Sequence, residues 1–325
     1  MLNTDPHRPR LRRSVAVAFL VATVTATGTG TAVAVVPDPV TSAARVGVDT
    51  ADRAAVLDAW RSMIESREGV TTNWTGRPHG CDPGRPSDES SRTILDGVNF
   101  ARGLAGLTPV RFQRSLSAKA QKAALIMAAN RALSHHVPRT WNCWSRVGAA
   151  AAGRSNLSYG SGTLKPEDIV PSYLSDRGAE NVAVGHRRWI LNPAASAFGS
   201  GLTRTSHALY VVGPTSTDNA SPEWVPWPTA GWFPSDLEPD GRWSLASGSA
   251  GADLSRARVT VERDGTPLEV HRHPFVRGFG MPTIAWDIDG EVGPGAYTVT
   301  VTRIRGAAAH RLTYTVRVFD PLTGS

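Results

Sequence analysis

His186 sits in the run NVAVGHRRWILNP over residues 181–193, with Gly185 before it and Arg187 and Arg188 after it. An imidazole beside a glycine that lets backbone approach closely can act as a ligand, a base or an anchor. A histidine pair, His135-His136, stands far upstream between a helical pattern and Pro138, where a helix C-terminus would favour a charged imidazole. Further on, His271-Arg272-His273 could chelate or could line a solvated strand face, and His310 sits in the same region. Other chemistry is excluded by motif: the chain has no H-E-x-x-H, no G-x-S-x-G and no phosphate-binding glycine loop.

These residues need elements to hold them. Residues 52–65 predict a helix, with Ala55, Leu57, Trp60, Met63 and Ile64 on one face. Residues 77–91, rich in Pro, Gly, Asp and Ser, predict a loop. Residues 90–104 predict a second helix ending near Gly106, and residues 115–133 a third, whose small residues suit close packing on a sheet. A helix is expected over residues 166–174, and the short apolar run 208–212 reads as a buried strand. The stretch 215–239 carries Trp224, Pro226, Trp227, Pro228, Trp232 and Pro234, which excludes a regular helix or a central strand. Its aromatics either staple two domains or form a carbohydrate platform. Beyond it, Asp264-Gly265 marks a hairpin, and residues 297–301 and 312–318 alternate in period two, as in a β-sandwich of immunoglobulin-like type.

Length and charge bound the class. At 325 residues the chain has room for two domains. The net charge of +7 falls to +4 without residues 1–34, and no Lys/Arg block remains, so nucleic acid is not an expected partner. Arginine far outnumbers lysine, present only as Lys119, Lys122 and Lys165, which reads as GC-rich bacterial codon usage. Residues 14–36 are uncharged, follow Arg12-Arg13 and end in the small-residue site Ala32-Val33-Ala34. That pattern predicts a signal peptide, with an uncleaved anchor as the alternative, and the membrane enters only through it. For an exported chain, Cys81 and Cys143 predict one disulfide, worth roughly 4 kcal/mol in the chain-entropy model; a metal pair is the alternative.

Four motifs in order resemble the CAP superfamily, the cysteine-rich secretory, antigen 5 and pathogenesis-related 1 group, in its bacterial secreted branch. They are Asn99 to Arg102 with Gly106-Leu107-Thr108-Pro109-Val110, Ser134-His135-His136-Val137-Pro138, Asn156-Leu157 with Gly160, and Gly185-His186-Arg187 with Ile190-Leu191-Asn192-Pro193. The resemblance implies an α/β fold, an α-β-α sandwich whose cleft holds two histidines and two acids and sometimes a divalent metal. The histidines would be His135 and His186, with zinc the candidate ion. Ser155 stands where the first acid belongs, and the second falls to Asp176 or Glu180. In a rival alignment Ala179-Glu180-Asn181-Val182 is itself the acidic motif.

The expected layout is a signal peptide (1–34), a low-order linker (35–50), an N-terminal helix and loop (51–91), a CAP domain (92–213), a Trp/Pro-rich connection (214–240) and a β-sandwich (241–325). The expected function is non-catalytic binding of an extracellular or cell-wall ligand by a secreted protein, with the β-domain as spacer or adhesion module. The alternatives are a metal-assisted hydrolase using His135, His186 and Asp176 or Glu180, a serine triad through Ser155, and a purely structural wall protein.

Overall fold

A computed structural model describes residues 47–323. The expected signal peptide and the expected linker as far as residue 46 lie outside the described residues. Helix α1 (Arg53–Met63) starts where the Asp52 carboxylate accepts from Ala54 N at 2.9 Å, and it buries Val56 and Trp60. Helix α2 (Asp88–Leu104) begins two residues before its predicted start because Ser87 is the cap, accepting from Ser90 N, with Asp88 and Glu89 in the first turn. Gly106, at φ +67°, turns the chain out of it. Helix α3 (Arg114–Asn130) stops short of the predicted Leu133, since Arg131 takes a left-handed φ of +51°.

Four strands form the first sheet: β1 (Arg111–Phe112), β2 (Ser155–Tyr159), β3 (Ala197–Leu202) and β4 (Ser206–Tyr210), in the order β1-β3-β4-β2. Only β1 and β3 run parallel. Strand alternation sends Ala208 and Tyr210 to one face, against α3 and helix α4 (Arg146–Ala152). Leu209, Phe198 and Leu202 join the opposite core, with α2 and helix α5 (Pro166–Ser175). The sheet therefore lies between two helical layers. The α3 layer is close: a Cβ at Gly199 or Gly201 would run into α3 backbone at Leu116 or at Ala120-Gln121. Cys81 and Cys143 form a disulfide that ties the loop before α2 to the segment before α4.

The rest of the chain makes two more sheets. One has the order β10-β11-β7-β5, from β5 (Trp224–Trp227), β7 (Arg242–Ser247), β10 (Val270–Arg272) and β11 (Thr283–Ile288). The other is β6-β13-β12-β8-β9, from β6 (Gly231–Pro234), β8 (Arg258–Arg263), β9 (Thr266–Leu268), β12 (Gly295–Thr302) and β13 (Arg311–Phe319). Their buried faces supply Trp227, Trp243 and Trp286 on one side and Phe233, Tyr297, Val299 and Val316 on the other. Trp243 meets Tyr297 edge-on at 5.5 Å. Asp264 and Gly265, at φ +50° and +83°, are the two-residue turn between β8 and β9. Strand structure starts at Trp224, inside the stretch expected to be a connection. All three Pro-bearing strands, β5, β6 and β9, take sheet edges, where a missing N–H is tolerated.

Candidate functional site

The site is assembled around helix α6 (Gly185–Ile190). Asp176, fully buried and left-handed at the end of α5, aims its carboxylate at the start of α6. One oxygen accepts from Arg187 N at 2.9 Å; the other takes His186 N at 3.3 Å and lies 2.6 Å from His186 Nδ1. An acceptor at Nδ1 puts the ring proton there and leaves Nε2 for a ligand. The Tyr173 ring stacks on His186 at 5.3 Å, and Asn156 Nδ2 donates to His186 O at 3.0 Å. Behind this layer the Tyr173 hydroxyl, His207 and Ser200 Oγ form a buried chain with links of 3.0 Å. Burial pushes the Tyr173 hydroxyl up and holds His207 down at about 3, so His207 is neutral and structural.

His135 follows α3, and its Nδ1 donates to Ala152 O at 2.9 Å, again leaving Nε2. A cavity of about 430 Å³ is lined by His135, His186, Ser155 and Glu180 together with Trp189 and Phe279. Four of the five sequence-derived residues thus share one cavity, and Asp176 stands behind His186. Ser155 Oγ donates to Ala151 O at 2.8 Å, so the serine triad is not assembled. Nor do the residues present fit a metal held as the resemblance implies. Among the described residues the only cluster of three ligand groups is Glu269, His271 and Asp289, on the β-sandwich, and position 155 offers the cleft no carboxylate.

Residues 95–214 match the family model described as the cysteine-rich secretory protein family, CAP. This segment is a CAP domain. No curated protein matches the chain. Among solved structures the chain is similar to PcoC, a methionine-rich copper resistance protein from Escherichia coli, at 17% identity over 31% of this chain and 100% of that one. The TM-score of 0.24 is too low to carry an argument about function.

The motif residues of the CAP domain mostly hold backbone. Asn99 brackets Val110 through its N–H and its carbonyl, at 2.8 and 3.0 Å. Buried Arg102 donates to Thr108 O, Ile190 O, Asn192 O and Ala195 O, which gathers the Ile-Leu-Asn-Pro turn under α2. Arg187 and Arg188 are also buried. Arg187 donates to Leu174 O, to Ser244 Oγ at 2.8 Å and to Arg242 O at 2.8 Å, the last two on β7. Arg188 donates to Val276 O at 2.9 Å and Met281 O at 2.8 Å, holding a loop of the β-sandwich by both ends. Burial lowers each guanidinium to about 10, still charged at neutral pH.

The loop held by Arg188 brings Phe279, between Gly278 and Gly280, over Gly185 and into the cavity wall. A second cavity, about 540 Å³, shares His186 with the first and is lined by Asp168, Asp236 and Glu238. Trp60 Nε1 donates to Asp236 and Trp243 Nε1 to Glu238, each at 2.6 Å. The β-sandwich therefore walls the cleft on two sides, which its reading as a spacer did not anticipate. The signal was there in Arg187-Arg188, two cations beside an apolar run, but their acceptors lie about 55 to 93 residues downstream.

Proposed function

We propose that this protein works outside the cytoplasm, in a bacterial envelope or the surrounding medium, as a non-catalytic binding protein whose ligand enters the His135/His186 cleft. The carrying observation is the single cavity that both histidines line, each with Nδ1 held by an acceptor and Nε2 left over. The imidazoles, Glu180 and Asn181 offer hydrogen bonds, and Trp189 and Phe279 offer apolar surface, a mixture suited to a small amphipathic ligand or a wall-polymer fragment. The disulfide supports an oxidising compartment.

The test is sedimentation with purified peptidoglycan, plus calorimetry with its soluble fragments, on wild type and on the His135→Ala/His186→Ala variant. Binding weakened by the double change is the expected result. Equal binding by both proteins removes the cleft from the function.

A second reading rests on the Asp176–His186 pair, since a buried carboxylate on Nδ1 is how a general base is oriented. A hydrolase of peptides or wall polymer would activate water at His186 Nε2. Release of product by wild type and none by a folded His186→Ala would replace the binding reading with this one.

A further inference from the structure

The sequence Glu269-Val270-His271-Arg272-His273 alternates, and so does Asp287-Ile288-Asp289. Strand period two places Glu269, His271 and His273 on one face of edge strand β10. The register sets His271 opposite Asp287 and Val270 opposite Ile288, which is buried. Asp289 N donates to Glu269 O at 3.1 Å, continuing the pairing one step further, so the backbones of both acids are fixed. Five ligand-type side chains therefore share the solvated face of one strand pair.

They are not equivalent. Asp287 is committed, accepting from Arg242 at 2.9 and 3.1 Å with His273 Nε2 3.0 Å away. Glu269 and Asp289 have no Arg or Lys partner among the described residues, and both approach the same nitrogen. His271 Nε2 lies 3.3 Å from Asp289 Oδ2 and 3.8 Å from Glu269 Oε1, and the three ligand atoms lie within 4.8 Å of one another. Donors about 2.1 Å from a tetrahedral zinc ion stand about 3.4 Å apart. The first spacing already has that length, and the exposed Glu269 side chain needs only a small swing to reach it. Two carboxylates drawn together around one imidazole leave negative charge that a cation would neutralise, and the imidazole favours a zinc-class ion over calcium or magnesium.

We propose that Glu269, His271 and Asp289 form a surface site for a divalent transition metal of the zinc class, on the β-sandwich and independent of the cleft. Asp287, tied to Arg242 and His273, stiffens the strand pair beside it, and water completes the shell.

The experiment is zinc titration of the full-length, untagged protein at neutral pH, read by calorimetry and by competition with a chromogenic chelator. Wild type is expected to take up one zinc, and so is His135→Ala/His186→Ala. His271→Ala and Asp289→Asn should each weaken binding at least about tenfold, the loss that even an outer partner of a metal ligand causes. Arg272→Ala, on the opposite side of the strand, should leave it unchanged. Absence of saturable binding in wild type, zinc that persists in His271→Ala, or zinc that vanishes with the cleft histidines would each overturn the site. His271, Asp289 and Arg272 are exposed, and circular dichroism checks the fold of every variant.

Discussion

Arg187 Nη1 donates to Ser244 Oγ at 2.8 Å, and this bond fastens the residue after His186 to strand β7. The same guanidinium takes Leu174 O from α5 and Arg242 O from β7. A buried cation satisfied this fully by acceptors from both halves makes the cleft dependent on the sandwich. Arg187→Ala strands those carbonyls and should destabilise the protein by about 3 kcal/mol in urea unfolding. Arg177→Ala, which removes an exposed ion pair with Asp240, should stay within about 0.5 kcal/mol. Similar small losses in both would mean that the buried network is not what joins the parts.

Asp176 is predicted to fix the His186 tautomer. Long-range nitrogen NMR on wild type should find the ring proton on Nδ1. Asp176→Asn cannot accept at all three of the donors that Asp176 serves, so mixed tautomers and a loss of about 1–3 kcal/mol are expected. A single unchanged tautomer in the variant would count against this orienting role.

His207 gives a pH dependence of known sign. Its folded value near 3 lies below the ordinary 6.5 because burial penalises the charged ring, so the unfolded chain binds the extra proton. Stability should therefore be full above pH 6.5 and fall as pH drops toward 3, by up to about 1.4 kcal/mol per unit from this residue alone. In His207→Gln that share of the slope should disappear, whatever the variant's absolute stability. Parallel curves for the two proteins between pH 6 and 4 would refute the assignment.

Phe279 is exposed enough, at 37%, that its removal should cost little stability. Phe279→Ala is expected to weaken whatever ligand the His135/His186 cavity takes, with the unfolding midpoint nearly unchanged. A lowered midpoint with unaltered binding would make the ring a packing element of the loop instead.

Reduction of Cys81–Cys143 should destabilise by roughly 4 kcal/mol, because it frees a long closed loop. Thermal melts of Cys81→Ser/Cys143→Ser against wild type measure it.

Local pattern made much of the architecture readable. Small residues at helical spacing in α3 predicted close packing on a sheet, and Gly199 and Gly201 supply the space for it. Period-two runs predicted the strands β12 and β13, and Asp264-Gly265 predicted its hairpin. Helix ends were misjudged where one residue decided them, at Ser87 and Arg131. In the candidate site His135 and His186 were legible as motif residues. Long-range partners were not: nothing near Arg188 in sequence announces Val276 O or Met281 O, and a buried arginine looks like an exposed one until its acceptors are placed. His207 was passed over because a histidine inside an apolar strand carries no mark of the tyrosine and serine that satisfy it.

The grip of Arg188 on Val276 O and Met281 O bears on how this chain can be cut and recombined. Residues 95–214 taken alone would carry two charged guanidinium groups that had each lost two acceptors to the other fragment. A graft of the segment onto another partner would inherit half a pocket, open where Phe279 had closed it. The smallest transferable piece of this protein is the domain together with the sandwich that completes it.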